Sequence, residues 1–464
     1  MFALLLPLFA ALMSISSVMV ALPAITEGLG ASDSDLQWVL TGYTLAFGVG
    51  LVPAGRAGDL WGRRRIFLAG VITFGVSSLA AAFAPDPLLL NILRVVMGLG
   101  ASMLVPQIIG MIQRLFTGSA RGRAYGLMST VIGLAVAVGP LIGGGLIDVA
   151  DHPDAWRLVF LVNVPVVAAG LVFAVLWLPK PHDDAHAPAR AVSGMRGLAR
   201  LDPIGAGLLT AAIVLVLLPF IQFANLFGVG LAVVGLLLFA AWLYWEKRVG
   251  DRDAEAPMVN LKLFALPSYT WNSAVLVLYF TGMPGIWAVV AIFIQQGLGY
   301  GAFLAGLVTL PSAAMVMLLA AEVGRRVERI GPRLLVIGSL SAAASMLILA
   351  AAAWLMDTSY GSLWWVALAL GINGFSQALI IPSAQTMSMQ DVPDEMAGAA
   401  GGVAQSAQRI FTAMGLAVVT AIYFLFTGQA GHQAGMVASC LTIFAIMMLS
   451  VVAAIVSARR AAAA

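Results

Sequence analysis

The chain has 464 residues, of which 61% are hydrophobic and only 10% charged, and its mean hydropathy is +1.00. Soluble domains carry about 45–50% apolar and roughly 25% charged residues, so this composition excludes a soluble globular protein. A net charge of +3 gives no basis for a nucleic-acid partner, and the single cysteine, Cys440, excludes an internal disulfide.

A membrane helix needs about 20 mostly apolar residues. In chain order that criterion predicts fourteen spans, at 2–24, 37–55, 66–84, 88–111, 124–148, 157–178, 202–221, 227–246, 269–295, 302–323, 334–355, 363–388, 398–426 and 434–457. No basic leader precedes the first span and others follow it, so it reads as a retained helix rather than a cleaved signal. Cys440 falls in an apolar run of the last span and reads as a small buried hydrophobe. Most connections are short, which makes neighbouring helices antiparallel. Two are longer. Residues 179–201 carry Pro179, Pro181, Pro188 and mixed charge and read as a linker; residues 247–268 are charged and then form a short interfacial helix over 258–266.

Charge placement sets the orientation. With the N-terminus inside, the inner loops hold 21 of the 24 Lys and Arg residues, while Arg157 is the only basic residue read as lying in an outer loop. Glu27, Asp33, Asp35, Asp86, Asp151, Asp154 and Asp357 fall outside. Inner loops rich in Lys and Arg are the expected asymmetry, and one miscounted span would scramble it. The reading is a multi-pass protein of the cytoplasmic membrane with both termini cytoplasmic.

The chain contains an internal repeat. Gly55, Asp59 and Gly62 in the loop after the second span recur as Gly324, Glu328 and Gly331 after the tenth, each copy followed by arginine. Related halves are common among transporters. In a six-plus-six protein the second copy would follow span eight, so two extra helices are inserted between the halves. The predicted organisation is an N-terminal six-helix bundle at 1–178, a cytoplasmic linker at 179–201, a two-helix insertion at 202–246, a cytoplasmic linker at 247–268 and a C-terminal six-helix bundle at 269–464.

Several motifs carry a family resemblance. Residues 55–65 match a signature loop between helices two and three, and residues 94–100, beginning at Arg94, match a helix-four motif with a buried arginine. Gly139, Pro140, Gly143 and Gly144 match a helix-five antiporter motif. Residues 37–43, Leu22-Pro23, residues 295–300 and Leu310-Pro311 match helix ends and joints. Together, in order and over essentially the whole chain, they resemble the major facilitator superfamily, specifically its fourteen-span drug:proton antiporter branch. The resemblance implies an all-α integral membrane protein with the major facilitator fold: two six-helix bundles plus two extra helices.

The motif residues have physical roles to fill. Asp59 can accept hydrogen bonds from helix N-terminal amides and arginines, holding one conformation closed. Gly58 and Gly62 permit a tight backbone, and Arg63, Arg64, Glu328 and Arg329 complete the latch and its repeat. Gly139 and Gly143 form a small-xxx-small pair, with Gly144 beside it, and Pro140 removes a backbone donor; together they allow close packing and a bend that the family resemblance associates with export. Arg94 is read as the one basic residue well inside a span, a functional site by default.

Here the chain departs from the branch, which carries an acid in the middle of helix one. Ser14 stands in that place, and Ser16 where a threonine follows. A proton carrier must titrate, and arginine cannot. Asp148, at the outer end of helix five, is the remaining candidate. The polar residues Ser17, Tyr43, Gln107, Asn272, Tyr279, Asn373, Gln377 and Gln405 are candidates to line a substrate cavity, with Met283 and Met315 supplying adaptable packing. As a set they suit a neutral, zwitterionic or anionic amphiphile.

His182 and His186 flank Asp183 and Asp184 in the linker and read as solvated. No nucleotide-binding glycine loop, hydrolase elbow or zinc pattern is present, so neither an enzyme nor a cofactor or metal site is expected. The function read from the sequence is secondary-active export of a drug-like or antibiotic-like small molecule, in exchange for protons, by a functional monomer embedded in the lipid bilayer. The alternatives are an uptake symporter or uncoupled facilitator on the same fold, or a non-transporting membrane sensor.

Overall fold

The computed structural model describes residues 1–150, 152, 154–179, 202–222, 226–252, 257, 259, 261–300, 302–356, 361–393 and 396–463. The predicted linker 179–201, with His182 and His186, lies outside the described residues except at Pro179. Every regular element among the described residues is helical. In order they are α1 (Phe2–Leu29), α2 (Asp33–Trp61), α3 (Arg63–Ala82), α4 (Pro87–Ser102), α5 (Val105–Leu115), α6 (Gly118–Ala150), α7 (Trp156–Leu161), α8 (Asn163–Trp177), α9 (Pro203–Gln222), α10 (Leu226–Arg252), α11 (Pro267–Ile292), α12 (Ala302–Trp354), α13 (Leu363–Ser388) and α14 (Ala397–Ala463). Eleven stretches are long and apolar enough to cross a membrane. The protein is a multi-pass membrane protein.

Local chemistry sets the helix ends. Gly30, at φ +64, terminates α1, and Ser32 and Asp35 form a reciprocal cap that starts α2. Asp86 caps α4 by accepting from the Leu89 amide at 2.9 Å, with Pro87 in the first turn. Where the sequence reading put a loop at 56–65, α2 continues to Trp61 and α3 begins at Arg63. Gly62, at φ +98, makes the whole reversal, a conformation that L side chains resist. The interfacial helix expected over 258–266 is a single 3₁₀ turn, Leu261–Ala265. The joint after α11 is a π turn, Phe293–Gly297.

Two helices exceed one bilayer. α12 has 53 residues, broken at Ile330, and α14 has 67, broken at Ala430 and Gly431. The repeat at 324–331 is therefore helical as far as Arg329 and holds the break at Ile330.

The chain divides into two compact units. The first comprises Met1–Leu115, Val131–Leu261 and Pro393–Ser406. In it α4 packs on α2 and α3, α8 on α1, and α9 on both α10 and α2. Buried Asp202 accepts from the Gly205 amide at the start of α9 and from the Trp245 indole of α10, while buried Glu246 accepts from the Val259 amide. The second unit comprises Phe116–Thr130, Lys262–Val392 and Ala407–Ala464. Its core joins Tyr279, Met283 and Phe293 to Leu335, Met346, Leu379, Tyr423 and Cys440. Each unit thus includes the first turns of a helix, α14 or α6, whose remainder belongs to the other.

Candidate functional site

Three clusters emerge from the residues upward. The first lies where α2 turns into α3. Asp59 stands in the last turn of α2 and Arg63 opens α3, so the turn at Gly62 brings the two side chains together. Arg63 Nη2 lies 3.1 Å from Asp59 Oδ1, with side-chain exposures of 5% and 3%. The same carboxylate accepts from the Gly398 amide at 3.2 Å and the Ala399 amide at 2.9 Å, at the first turn of α14. A helix start presents unpaired N–H groups and a partial positive charge, so a carboxylate is held there by both.

Glycine makes the approach possible. A methyl group on Gly55 would lie 2.4 Å from the Gly398 carbonyl oxygen, and one on Gly398 would lie 2.6 Å from Asp59 Oδ1. Gly58 backs onto buried Gln107, whose side-chain nitrogen donates to the Ala54 carbonyl at 2.7 Å. Arg63 also donates to the Gly110 carbonyl, and Arg64 donates to Val175 at 2.8 Å. Gly58, Asp59, Gly62, Arg63 and Arg64 are thus brought together, and Gln107 joins them.

The repeat builds a related joint in the second unit. Gly324 and Gly122 press backbone on backbone, as Gly55 and Gly398 do, and a methyl group on Gly118 would lie 3.2 Å from both Glu328 carboxylate oxygens. Gly118 opens α6 as Gly398 lies in the opening turn of α14. Glu328 and Arg329 are nevertheless exposed. The strong pairs on this stretch belong to Glu322, which holds Arg325 and Arg326.

The second cluster surrounds Arg94, fully buried in α4. Its Nε donates to the Val39 carbonyl at 2.8 Å and its Nη1 to Ser14 Oγ at 3.3 Å. The guanidinium carbon stands 4.3 Å from the Tyr43 ring centre, a cation–π contact. Nη2 has no partner, and neither has the buried hydroxyl of Ser17, one helical turn beyond Ser14. Tyr43 donates to the Ala11 carbonyl at 2.8 Å, which fixes the ring.

Beside this cluster α6 lies on α1 through glycine. Methyl groups on Gly139 and Gly143 would collide with Ser16 and Ser17. Gly144 is looser, and Pro140 lies inside the helix. Asp148 belongs to the last turn of α6, but its side chain lies outside the described residues.

The third cluster belongs to the second unit. Asn373 donates to Met283 Sδ at 2.8 Å, while its Oδ1 has no partner; buried Tyr279 shares that core. Asn272 accepts from Ser457 at 2.8 Å and donates to the Ser268 carbonyl. Gln377 in α13 and Gln405 in α14 are half-buried.

Three features escaped the sequence reading. Arg409, half-buried in α14, is a second basic residue inside a span, so Arg94 is not alone in that position. The amides that hold Asp59 lie in 397–402, where a run of alanines and glycines was the available signal. The buried carboxylates Asp202, just before α9, and Glu246, inside α10, drew no functional attention.

A family model described as Major Facilitator Superfamily matches residues 4–416. The chain belongs to the Major Facilitator Superfamily. This superfamily member is 33% identical over 416 residues to the puromycin resistance protein pur8 of Streptomyces alboniger, covering 87% of the chain and 77% of that protein. It is 30% identical to the probable actinorhodin transporter of Streptomyces coelicolor, covering 89% and 70%. It is 32% identical to the cephamycin export protein CmcT of Amycolatopsis lactamdurans, covering 88% and 81%. The human organic anion transporter MFSD10 superposes with a TM-score of 0.66 at 16% identity, covering 97% of this chain and 98% of that one. The proton:xylose symporter XylE superposes at 0.65 and 14% identity, covering 97% and 94%. The superfamily and these relatives make the chain a transporter rather than an enzyme.

Proposed function

We propose that this transporter exports a drug-like or antibiotic-like small molecule across the cytoplasmic membrane, in exchange for protons, by alternating access. The observation that carries export is the alignment, over nearly nine-tenths of the chain, with relatives named for antibiotic resistance and export. The glycine face that α6 lays on α1 at Ser16 and Ser17 agrees with it, because that face is formed by the motif that family resemblance ties to export.

Asp59, with Arg63 and the first amides of α14, acts as a conformational latch that forms and breaks in each cycle; Glu328 and Arg329 form a second, weaker copy of it at α6, where both are exposed. Asp148 carries the exchanged proton, and Arg94 binds substrate. Ser17, Tyr43, Asn373, Gln377 and Gln405 contact the substrate as a mixed polar and aromatic surface. The two six-helix bundles with a two-helix insertion remain the reading of the domain order.

Fourteen spans fit the lengths. As unbroken helices at 1.5 Å per residue α12 would run about 80 Å and α14 about 100 Å, against a hydrocarbon core of about 30 Å. Dividing each at its break and counting α9 brings the eleven candidates to fourteen. Both termini are then cytoplasmic. Cysteines placed at Asp33 and Asp357 in a Cys440→Ala background will react with impermeant reagents from outside, and those at His182 and Arg325 will not. Outside labelling at His182 overturns this topology.

Flux in proteoliposomes under an imposed pH gradient tests the transport reading. The wild type will accumulate substrate against its gradient, Asp148→Asn will bind substrate without gradient-driven export, and Arg94→Ala will lose binding as well. Full export by Asp148→Asn rejects that residue. Ser14, standing where the family branch has an acid, favours a second reading, the uncoupled facilitator. Equilibration without accumulation, indifferent to pH and sodium gradients, would establish it.

A further inference from the structure

We infer that Arg94, Ser14 and Ser17 form a subsite for a single monovalent anionic group. The inference deepens the export reading, and rests on it, where it names the carrier of that group: the exported molecule enters with an ionised acid.

The donor count carries the argument. A guanidinium has five N–H donors and cannot give up its charge in a protein. Nε and one Nη1 hydrogen are bound to Val39 and Ser14, and the Tyr43 ring covers one face, but Nη2 points at no acceptor. No carboxylate among the described residues pairs with it. A charge inside a membrane protein is costly and is found paired, or in a site where something comes to pair with it. Arg94 is fully buried about 10 Å from the α4 start at Pro87, so solvent does not supply that partner.

A second unsatisfied donor stands on the neighbouring helix. The hydroxyl of Ser17 is buried without a partner, one turn along α1 from the serine that already touches Arg94. Residues three apart lie one turn from each other on a helix, so the Ser17 hydroxyl follows next along α1 after the one that touches Arg94. The wall over Ser17 is Gly143, a residue with no side chain to withdraw when the helices part. Hydroxyl and guanidinium donors with no acid among them suit an anion and repel a cation. A carboxylate, an acidic phenolate or chloride meets this chemistry, and one negative charge neutralises the site.

The test is made on the purified full-length protein in detergent, by following its unfolding temperature as anion concentration rises at fixed ionic strength. Chloride is compared with gluconate, and benzoate with neutral benzamide. A ligand that binds the folded state raises the midpoint in a saturable way. Benzoate or chloride is expected to do so, and benzamide is not. In Arg94→Gln the half-saturating concentration should rise about tenfold or more, the size of one charge-assisted hydrogen bond, and Arg94→Lys should recover part of the loss. If Arg94→Gln does not fold, Ser17→Ala decides, with a severalfold rise expected. Saturation by benzoate assigns the acid of the exported molecule; saturation by chloride alone assigns a free ion. No saturable stabilisation of the wild type, or an unchanged half-saturating concentration in every folded variant, overturns the subsite. Vesicle flux is measured separately: anion binding without flux defeats the export reading, and flux without anion binding defeats the subsite.

Discussion

Asp59 and Glu328 occupy the same place in a repeated motif, yet their surroundings differ. Both follow a glycine by four residues, and both stand beside the opening turn of a helix whose backbone is pressed against that glycine. Asp59 is 3% exposed, ion-paired to Arg63 and bonded to two amides. Glu328 is exposed, and Arg325 and Arg326, three and two residues before it, are held by Glu322 instead. Repetition preserves the backbone crossing, while burial decides how much the carboxylate matters. A buried pair that loses one partner costs about 3–5 kcal/mol, whereas exposed pairs contribute about 0–1 kcal/mol.

The sharpest way to break this comparison is Asp59→Asn. It removes the charge from the α14 amides and strands Arg63. Transport turnover should fall about tenfold or more while the protein remains in the membrane, measured by flux normalised to surface expression. Unchanged turnover removes Asp59 from the latch. Gly398→Ala comes next, because the added methyl would sit against Asp59 and the Gly55 carbonyl. We expect a severalfold loss of turnover and a lower unfolding temperature, with Gly431→Ala, at the break within α14, reporting only on its own turn. Glu328→Gln should change turnover by less than about twofold. An effect equal to that of Asp59→Asn would show that motif position, not burial, sets the energetics.

The smallest effect concerns the cap of α2, outside the spans. Hydrogen bonds from the side chain and backbone of Ser32 hold the Asp35 carboxyl below its usual range. A lowered carboxylate value stabilises the folded state above the unfolded value and loses that contribution as pH falls through the folded one. Amide exchange in the first turn of α2 should therefore accelerate only below the ordinary carboxylate range. Asp35→Asn should show the faster exchange at every pH.

Much of this was legible in the sequence because the bilayer imposes coarse rules. Apolar runs gave the membrane-crossing helices, and the spacing of Gly55, Asp59 and Gly62 gave the repeat. Gly62 as the whole turn was harder to read, since a positive φ leaves no periodic trace. The amides that receive Asp59 were out of reach, because the farther of them lies 340 residues away along the chain at Ala399. Nothing local in an alanine–glycine run announces which carboxylate it will meet. Arg94 was visible as a charge in an apolar run; that its Nη2 lacks an acceptor required coordinates. Arg409 shows the opposite failure, a charge inside a span passed over because no motif framed it.

That separation of 340 residues also has a consequence for how the protein is made. A ribosome adds roughly 5–20 residues per second, so about 20–70 s pass between synthesis of Asp59 and of the amides that will receive it. Throughout that interval the carboxylate has Arg63, itself held by the Gly110 carbonyl, but not the amides of Gly398 and Ala399. The nascent first half must therefore wait in the membrane with an unfilled berth, exposed to quality-control proteases, until the last helix arrives. A ribosome stalled before codon 398 would leave a product that is inserted but unlatched. Pulse-chase labelling of such truncated chains should find them degraded faster than chains carried past codon 406.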